Sequence, residues 1–221
     1  MAIIRFGTNI AEASGSISGT VFSHNKGGPY IRNRRVPTNP DTERQGEVRS
    51  IFAALAAAWT NVLSAAERAT WDAYAEANTI LNALGQAVKQ TGLAWYVRCN
   101  ARLQDAGLTL VAEAPIAPAP ANFLTFTPTF TSTTAISVAY TAALAAGEAM
   151  QIWMTGPHTA GASPNFRQAR LIGYSALAAA TPIAFTLPRE CPADTDSIFF
   201  GARLDAQGLI SGYQSGRDTS T

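Results

Sequence analysis

Two cysteines and two histidines bound the thiol chemistry open to this chain. A nucleophilic Cys99 or Cys191 would need His24 or His158 within reach as its base. His24 stands in the turn-forming run from His24 to Gly28, and His158 follows Gly156 and Pro157. Both settings put an imidazole at the surface more often than in a catalytic pocket. The thiols lie far apart and match no metal-ligand or redox spacing, so no disulfide framework is expected. Asp194, Asp196 and Asp205 include the short acidic spacing of a calcium loop but lack its further oxygen donors, which favours a polar turn. The glycine-rich runs at 14–19 and 25–29 lack the Gly-Lys-Ser/Thr ending and the strand-to-helix setting of a phosphate loop. No catalytic residue, metal site or cofactor is expected, and the chain reads as a non-enzyme.

Arg32, Arg34 and Arg35 have a better claim to function, together with Lys26 and Tyr30, as a partner-binding surface. No acid lies between Glu12 and Asp41 to offset these cations. Residues 1–107 hold 11 Lys/Arg against 8 Asp/Glu, whereas residues 108–221 hold 5 against 7, so the excess positive charge sits in the front half. On a strand, Arg32 and Arg34 point to one face and Arg35 to the other. Such a patch suits an acidic protein surface or a phosphate backbone. It is also the pattern of a strand edge guarded by charge. The net charge of only +1 argues against nucleic acid as the main ligand, because each phosphate neutralised needs its own cation. Protein contact is the favoured use, with nucleic acid second.

The elements that must position these residues follow from local rules. Ile3–Phe6, Ile17–Phe22 and Pro29–Val36 are short β-prone pieces. Asn25, Gly27 and Gly28 can supply the positive φ of a hairpin turn that sets Val21 and Phe22 opposite Tyr30 and Ile31. Pro29 removes one donor and points to an edge or irregular strand. Pro37 and Pro40 end the strand. Thr42 and Gln45 then have capping-box spacing for a helix to about Leu63, with Val48, Phe52, Leu55, Trp59 and Val62 on one stripe to be buried. Ser64 and Glu67 repeat the cap for a second helix carrying Trp71 and Tyr74. Residues 78–90 read as an irregular link with a short helical turn. A third helix begins near Thr91, with Tyr96, Cys99 and Leu103 on one face and Gly107 as its C-terminal cap.

Pro115, Pro118 and Pro120 make a semi-rigid linker. Seven β-prone runs follow at 123–130, 135–142, 149–156, 169–176, 182–188, 197–206 and 209–215, separated by turn residues, the signature of an antiparallel sandwich. The expected class is therefore α+β: an N-terminal β-hairpin arm (1–40) plus a three-helix domain (41–110), a proline-rich linker (111–121) and an all-β immunoglobulin- or fibronectin III-like sandwich (122–221). With 14% charged and 47% hydrophobic residues, the composition suits a chain that hides surface against partners. No apolar run approaches the roughly 18 residues that cross a bilayer. The first residues are too polar for a secretory signal, so assembly in a reducing cytoplasm without membrane contact is expected.

The order SGxxxGxVFSxNxGGxYxRxR, PxNPxTxxQ, LSxAxRxxWxxYA and TGxxxYxRxNxRLxxAG resembles a group of uncharacterised tailed-phage and prophage proteins described as virion-associated or structural. The resemblance covers residues 14 to about 107 by motif and the remainder by architecture. It implies a location in the virion and contacts with capsid, neck or tail subunits. The role it implies is a capsid-associated decoration or minor head protein, with a neck or tail connector, a fibre adaptor, or a DNA- or scaffold-binding assembly factor as alternatives. A homo-oligomer is expected, and the resemblance carries over no catalytic residue.

Overall fold

The computed structural model describes residues 2–3, 7, 12–35, 39–82, 84–159, 162 and 165–220. The chain divides into two compact units, residues 1–101 with 112–114, and residues 102–111 with 115–221. The arm strands share the first unit with the helices, and the change of unit falls before the proline-rich stretch, near the end of the third helix.

In the first unit, β1 (Ala2–Ile3), β2 (Gly15–Ile17), β3 (Thr20–Asn25) and β4 (Gly28–Asn33) form an antiparallel sheet in the order β1-β4-β3-β2. The run 17–22 is not one strand, because Ser18, at φ 52°, turns the chain back between Ile17 and Thr20. In the β3–β4 hairpin the register is one residue off the expected one: Phe22 opposes Ile31, Val21 faces Arg32, and Tyr30 faces Ser23. The loop is only Lys26-Gly27, and of the three expected turn residues Gly28 alone has positive φ, at 105°. Loop length sets register, so the two-residue loop moves every cross-strand pair by one residue. Pro29 is tolerated because β1 pairs only with Tyr30 and Ile31. Ile4 to Phe6 and Pro37 lie outside the described residues.

Helix α1 (Glu43–Asn61) starts at Thr42, whose hydroxyl accepts from Gln45 N at 3.3 Å. Helix α2 (Ala65–Ala77) starts at a complete capping box between Ser64 and Glu67. Residues 78–90 differ from expectation: β5 (Thr79–Leu81) and β6 (Ala87–Lys89) pair as a second hairpin. Its turn is organised by Asn82, whose Oδ1 accepts from Leu84 N and Gln86 N. Helix α3 (Gly92–Asp105) closes in a Schellman motif, with Gly107 at φ 70° and bonds from Gly107 N to Gln104 O and Leu108 N to Leu103 O. Gly92 is required where α3 begins, since a Cβ there would stand 2.8 Å from the Asp72 nitrogen and 2.9 Å from the Trp71 carbonyl carbon.

Trp71, Tyr96, Cys99, Leu55 and Leu63 form the core of this unit. Trp71 meets Tyr96 edge-on at 5.5 Å, and its indole donates to Ala112 O at 2.7 Å. Of the stripe expected along α1, only Leu55 is buried. Phe52 is 49% and Val62 75% exposed, and Val48 and Trp59 are half-buried.

The second unit is a β-sandwich. Strands β7 (Thr125–Ser132), β8 (Ala135–Thr141) and β11 (Ile183–Thr186) make one sheet, in the order β11-β8-β7. Strands β9 (Ala149–Met154), β10 (Arg170–Tyr174), β12 (Asp196–Leu204) and β13 (Gln214–Thr219) make the other, in the order β10-β9-β12-β13. Inward residues of both sheets, among them Phe130, Ile136, Val138, Ile152 and Phe199, form one core. Six strands lie where the β-prone runs fall, but the seventh does not. Residues 209–213 are a loop held by the Leu204–Ile210 bridge, and the closing strand is the polar 214–219. Close passage past β7 fixes it there: a Cβ on Gly216 would stand 2.2 Å from Pro128 Cδ. Among the described residues no single helix is long and apolar enough to cross a membrane.

Candidate functional site

The expected partner-binding residues lie along one hairpin, in three different settings. Lys26 occupies the turn, where Asn25 Oδ1 accepts from Gly27 N at 2.8 Å. Asn82 Nδ2 donates to Gly27 O at 3.1 Å, tying this tip to the second hairpin. The Glu76 carboxyl is held below its usual range, first by its bond to Lys89 and further by the Lys89 and Lys26 charges. Lys26 therefore already works within its own unit. Tyr30 is half-buried between Ser23 and Ile3.

Arg32, Arg34 and Arg35 are exposed. Arg32 stands in β4 opposite Val21. β4 ends at Asn33, and Arg34 continues only by its backbone, with its N–H donating to Gly19 O at 2.7 Å. The strand alternation that would set Arg34 beside Arg32 and Arg35 opposite thus stops one residue too early. Among the described residues, none of these three guanidinium groups has an ion pair or side-chain hydrogen bond.

Around them the sheet is uncovered. Among the described residues up to Ala54, not one is buried, although they make four paired strands and the first part of α1. Sheets normally hold together by packing an apolar face against something. Here Phe22 and Ile31 are only half-buried, and Ile17 on the edge strand is 72% exposed. Phe52 of α1, Val62 at its C-cap, and Leu81 and Leu84 of the second hairpin add further exposed apolar area in this unit. Helical spacing alone marked Phe52 and Val62 for burial. What the sequence does show is that no charge stands from Ser50 to Ala66, a run that holds Phe52, Leu55 and Val62 alike. An uncharged helix surface of that length fits contact with another molecule rather than water.

The residues weighed for chemistry fall elsewhere. His24 pairs with Glu12 at 3.7 Å on the surface, and His158 Nδ1 lies 3.2 Å from Gly156 O. Cys99 and Cys191 are both buried, and burial pushes the Cys191 thiol up, away from its nucleophilic form. Asp196 is buried and accepts from Thr219 Oγ1 at 2.7 Å, while Asp205 accepts from Gln207 N and Leu209 N in a turn. Among the described residues no three His, Cys, Asp or Glu cluster as metal ligands.

No family model matches the chain, and no curated protein matches its sequence. Among solved structures it is similar to one described as "Myokine structure", at TM-score 0.28 and 15% identity over 47% of this chain and 100% of that one. A second, described as "Structure of T.fusca AA10A", matches at TM-score 0.29 and 14% identity over 48% of this chain and 55% of that one. Likenesses at these scores carry no argument about function.

Proposed function

We propose that this protein is a non-catalytic structural component of a tailed-phage particle, docked onto neighbouring subunits through its N-terminal sheet and α1. The observation that carries this reading is the uncovered sheet: four hydrogen-bonded strands without one buried side chain among the described residues. A sheet that buries so little gains little hydrophobic stabilisation from its own chain. A neighbouring subunit that covers Phe22, Ile31, Phe52 and Val62 supplies it. Arg32, Arg34 and Arg35, which have no ion pair among the described residues, set the sign of that neighbour, an acidic surface. The motif resemblance over residues 14 to about 107 supports a neighbour within a virion, with the sandwich as the decoration module.

Quantitative mass spectrometry of purified particles tests this directly. The expected result is the chain at a fixed copy number matching a capsid symmetry; a low, ring-like number makes it a neck or tail connector, and its absence sinks the reading. The three unpaired guanidinium groups also suit phosphates, so a second reading is an assembly factor that grips DNA. Steep salt-dependent binding to duplex DNA supports that reading, and no binding at low salt excludes it.

A further inference from the structure

The sandwich has an open side of its own, independent of the N-terminal surface. β10 is the outermost strand of the four-stranded sheet and β11 of the three-stranded sheet. A cleft of about 440 Å³ is lined by residues of β10 and by the segments that follow β9 and β11, within the range of about 300–1,000 Å³ usual for ligand sites. Buried Met154 and half-buried Ile172 give it an apolar base.

Two arginines break that apolar character. Arg170 is paired in register with Met154, a core residue, so it stands on the inward face of β10 where a strand of a sandwich carries an apolar side chain. A register shift between Leu171 and Gly173 then allows Ile172 to pack on the core as well. Arg189 lines the cleft from the segment after β11. Both arginines are exposed, and among the described residues neither has an ion pair or a hydrogen-bonded side-chain partner. Of the other arginines of this unit, Arg102, Arg203 and Arg217 are engaged by side-chain hydrogen bonds or ion pairs, whereas Arg167 takes part in the Asn165 cap by its backbone N–H alone.

We propose that this cleft binds an extended acidic peptide segment of a partner protein. Its carboxylate sits between Arg170 and Arg189, its apolar side chains enter between the sheets, and its backbone pairs with the free edge of β10. An edge strand offers main-chain donors and acceptors that a free acid does not use. Among the described residues lining the cleft none is aromatic, so they offer no stacking platform for a sugar ring.

The test uses the full chain and a fluorescent, capped pentapeptide alternating valine with glutamate, beside its glutamine counterpart, read by anisotropy at low salt. The glutamate peptide should bind about tenfold tighter or more, the scale of one charge-assisted hydrogen bond. Arg170→Gln with Arg189→Gln should erase that preference, and Arg217→Gln, in β13 at the opposite edge of the same sheet, should leave it. Arg189→Gln alone, outside any strand, should reduce the preference and serves if the double variant does not fold. Equal binding of the two peptides, or a preference that survives the double variant, overturns the proposal. So does no binding of the glutamate peptide at about 1 mM, the weak end of measurable affinity. An inward arginine that merely guards the edge against aggregation gives the same overturning result.

Discussion

Arg32, Arg34 and Arg35 differ in their surroundings from most arginines of the chain. Arg203 is buried against Glu148 and lies over the Phe123 ring, Arg49 reaches Asn39 and Asp41, and Arg98 lies over Trp95. Changing Arg32 and Arg34 together to Glu should therefore leave the melting temperature of the isolated chain nearly unchanged, within about 0.5 kcal/mol of stability. Incorporation into particles should fall sharply, as measured by quantifying the variant in purified virions; unchanged incorporation would reduce the patch to solvated surface. A second residue-scale test concerns Tyr174. Its hydroxyl donates to Asp105 Oδ2 at 3.1 Å and accepts from Gln151 Nε2 at 3.0 Å. Burial, and next the Asp105 charge, pushes its pKa well up. With the folded value raised, its contribution is fully present below the unfolded value of about 10 and is lost as pH rises above it, because only the unfolded chain then releases the proton. Thermal melts between pH 8 and 11 should show falling stability that Tyr174→Phe makes shallower. It should not vanish, since burial also raises Tyr96 and Tyr140. Residue identities set by local rules were legible in the sequence: the Ser64–Glu67 cap, the Tyr96, Cys99 and Leu103 face, and the Gly107 end. The partner of the Trp71 indole was not, because Ala112 reaches it only through the tertiary fold.

At the scale of elements, what the sequence hid is what lacks an internal period. The hairpin at 79–89 has three-residue strands, too short to show alternation, and its signal is the Asn82 turn. The last strand is polar along its length and takes its place through the close pass of Gly216 by Pro128. Helix α1 misled in the opposite sense, since an apolar stripe states that a face must be covered and not what covers it. That distinction supports a prediction: Phe52→Asp with Val62→Asp should change the stability of the isolated chain by less than about 1 kcal/mol, because both side chains already face water. The same pair should reduce incorporation by an amount comparable to the arginine variant, measured in the same purified virions. A melting temperature lowered by several degrees would mean that α1 packs within its own chain.

At the scale of the whole molecule, the two units divide the physics between them. The sandwich carries a large core of inward aromatic and aliphatic residues. The first unit concentrates its core on Trp71, Tyr96 and their neighbours, and among the described residues its β1–β4 strands hold none that is fully buried. The α+β class and the sandwich could be read from patterning, because seven regularly spaced runs restrict the solutions. The uncovered sheet could not, since the β-prone pieces of 1–40 look alike whether covered or not. Hydrogen–deuterium exchange over residues 15–33, compared between the free chain and assembled particles, addresses the central claim most directly. These amides should exchange rapidly in the free chain and slow strongly, by about a hundredfold or more, in the particle, as a face opening locally at little cost becomes covered. Equal exchange in the two states, or protection already complete in the free chain, would contradict that claim.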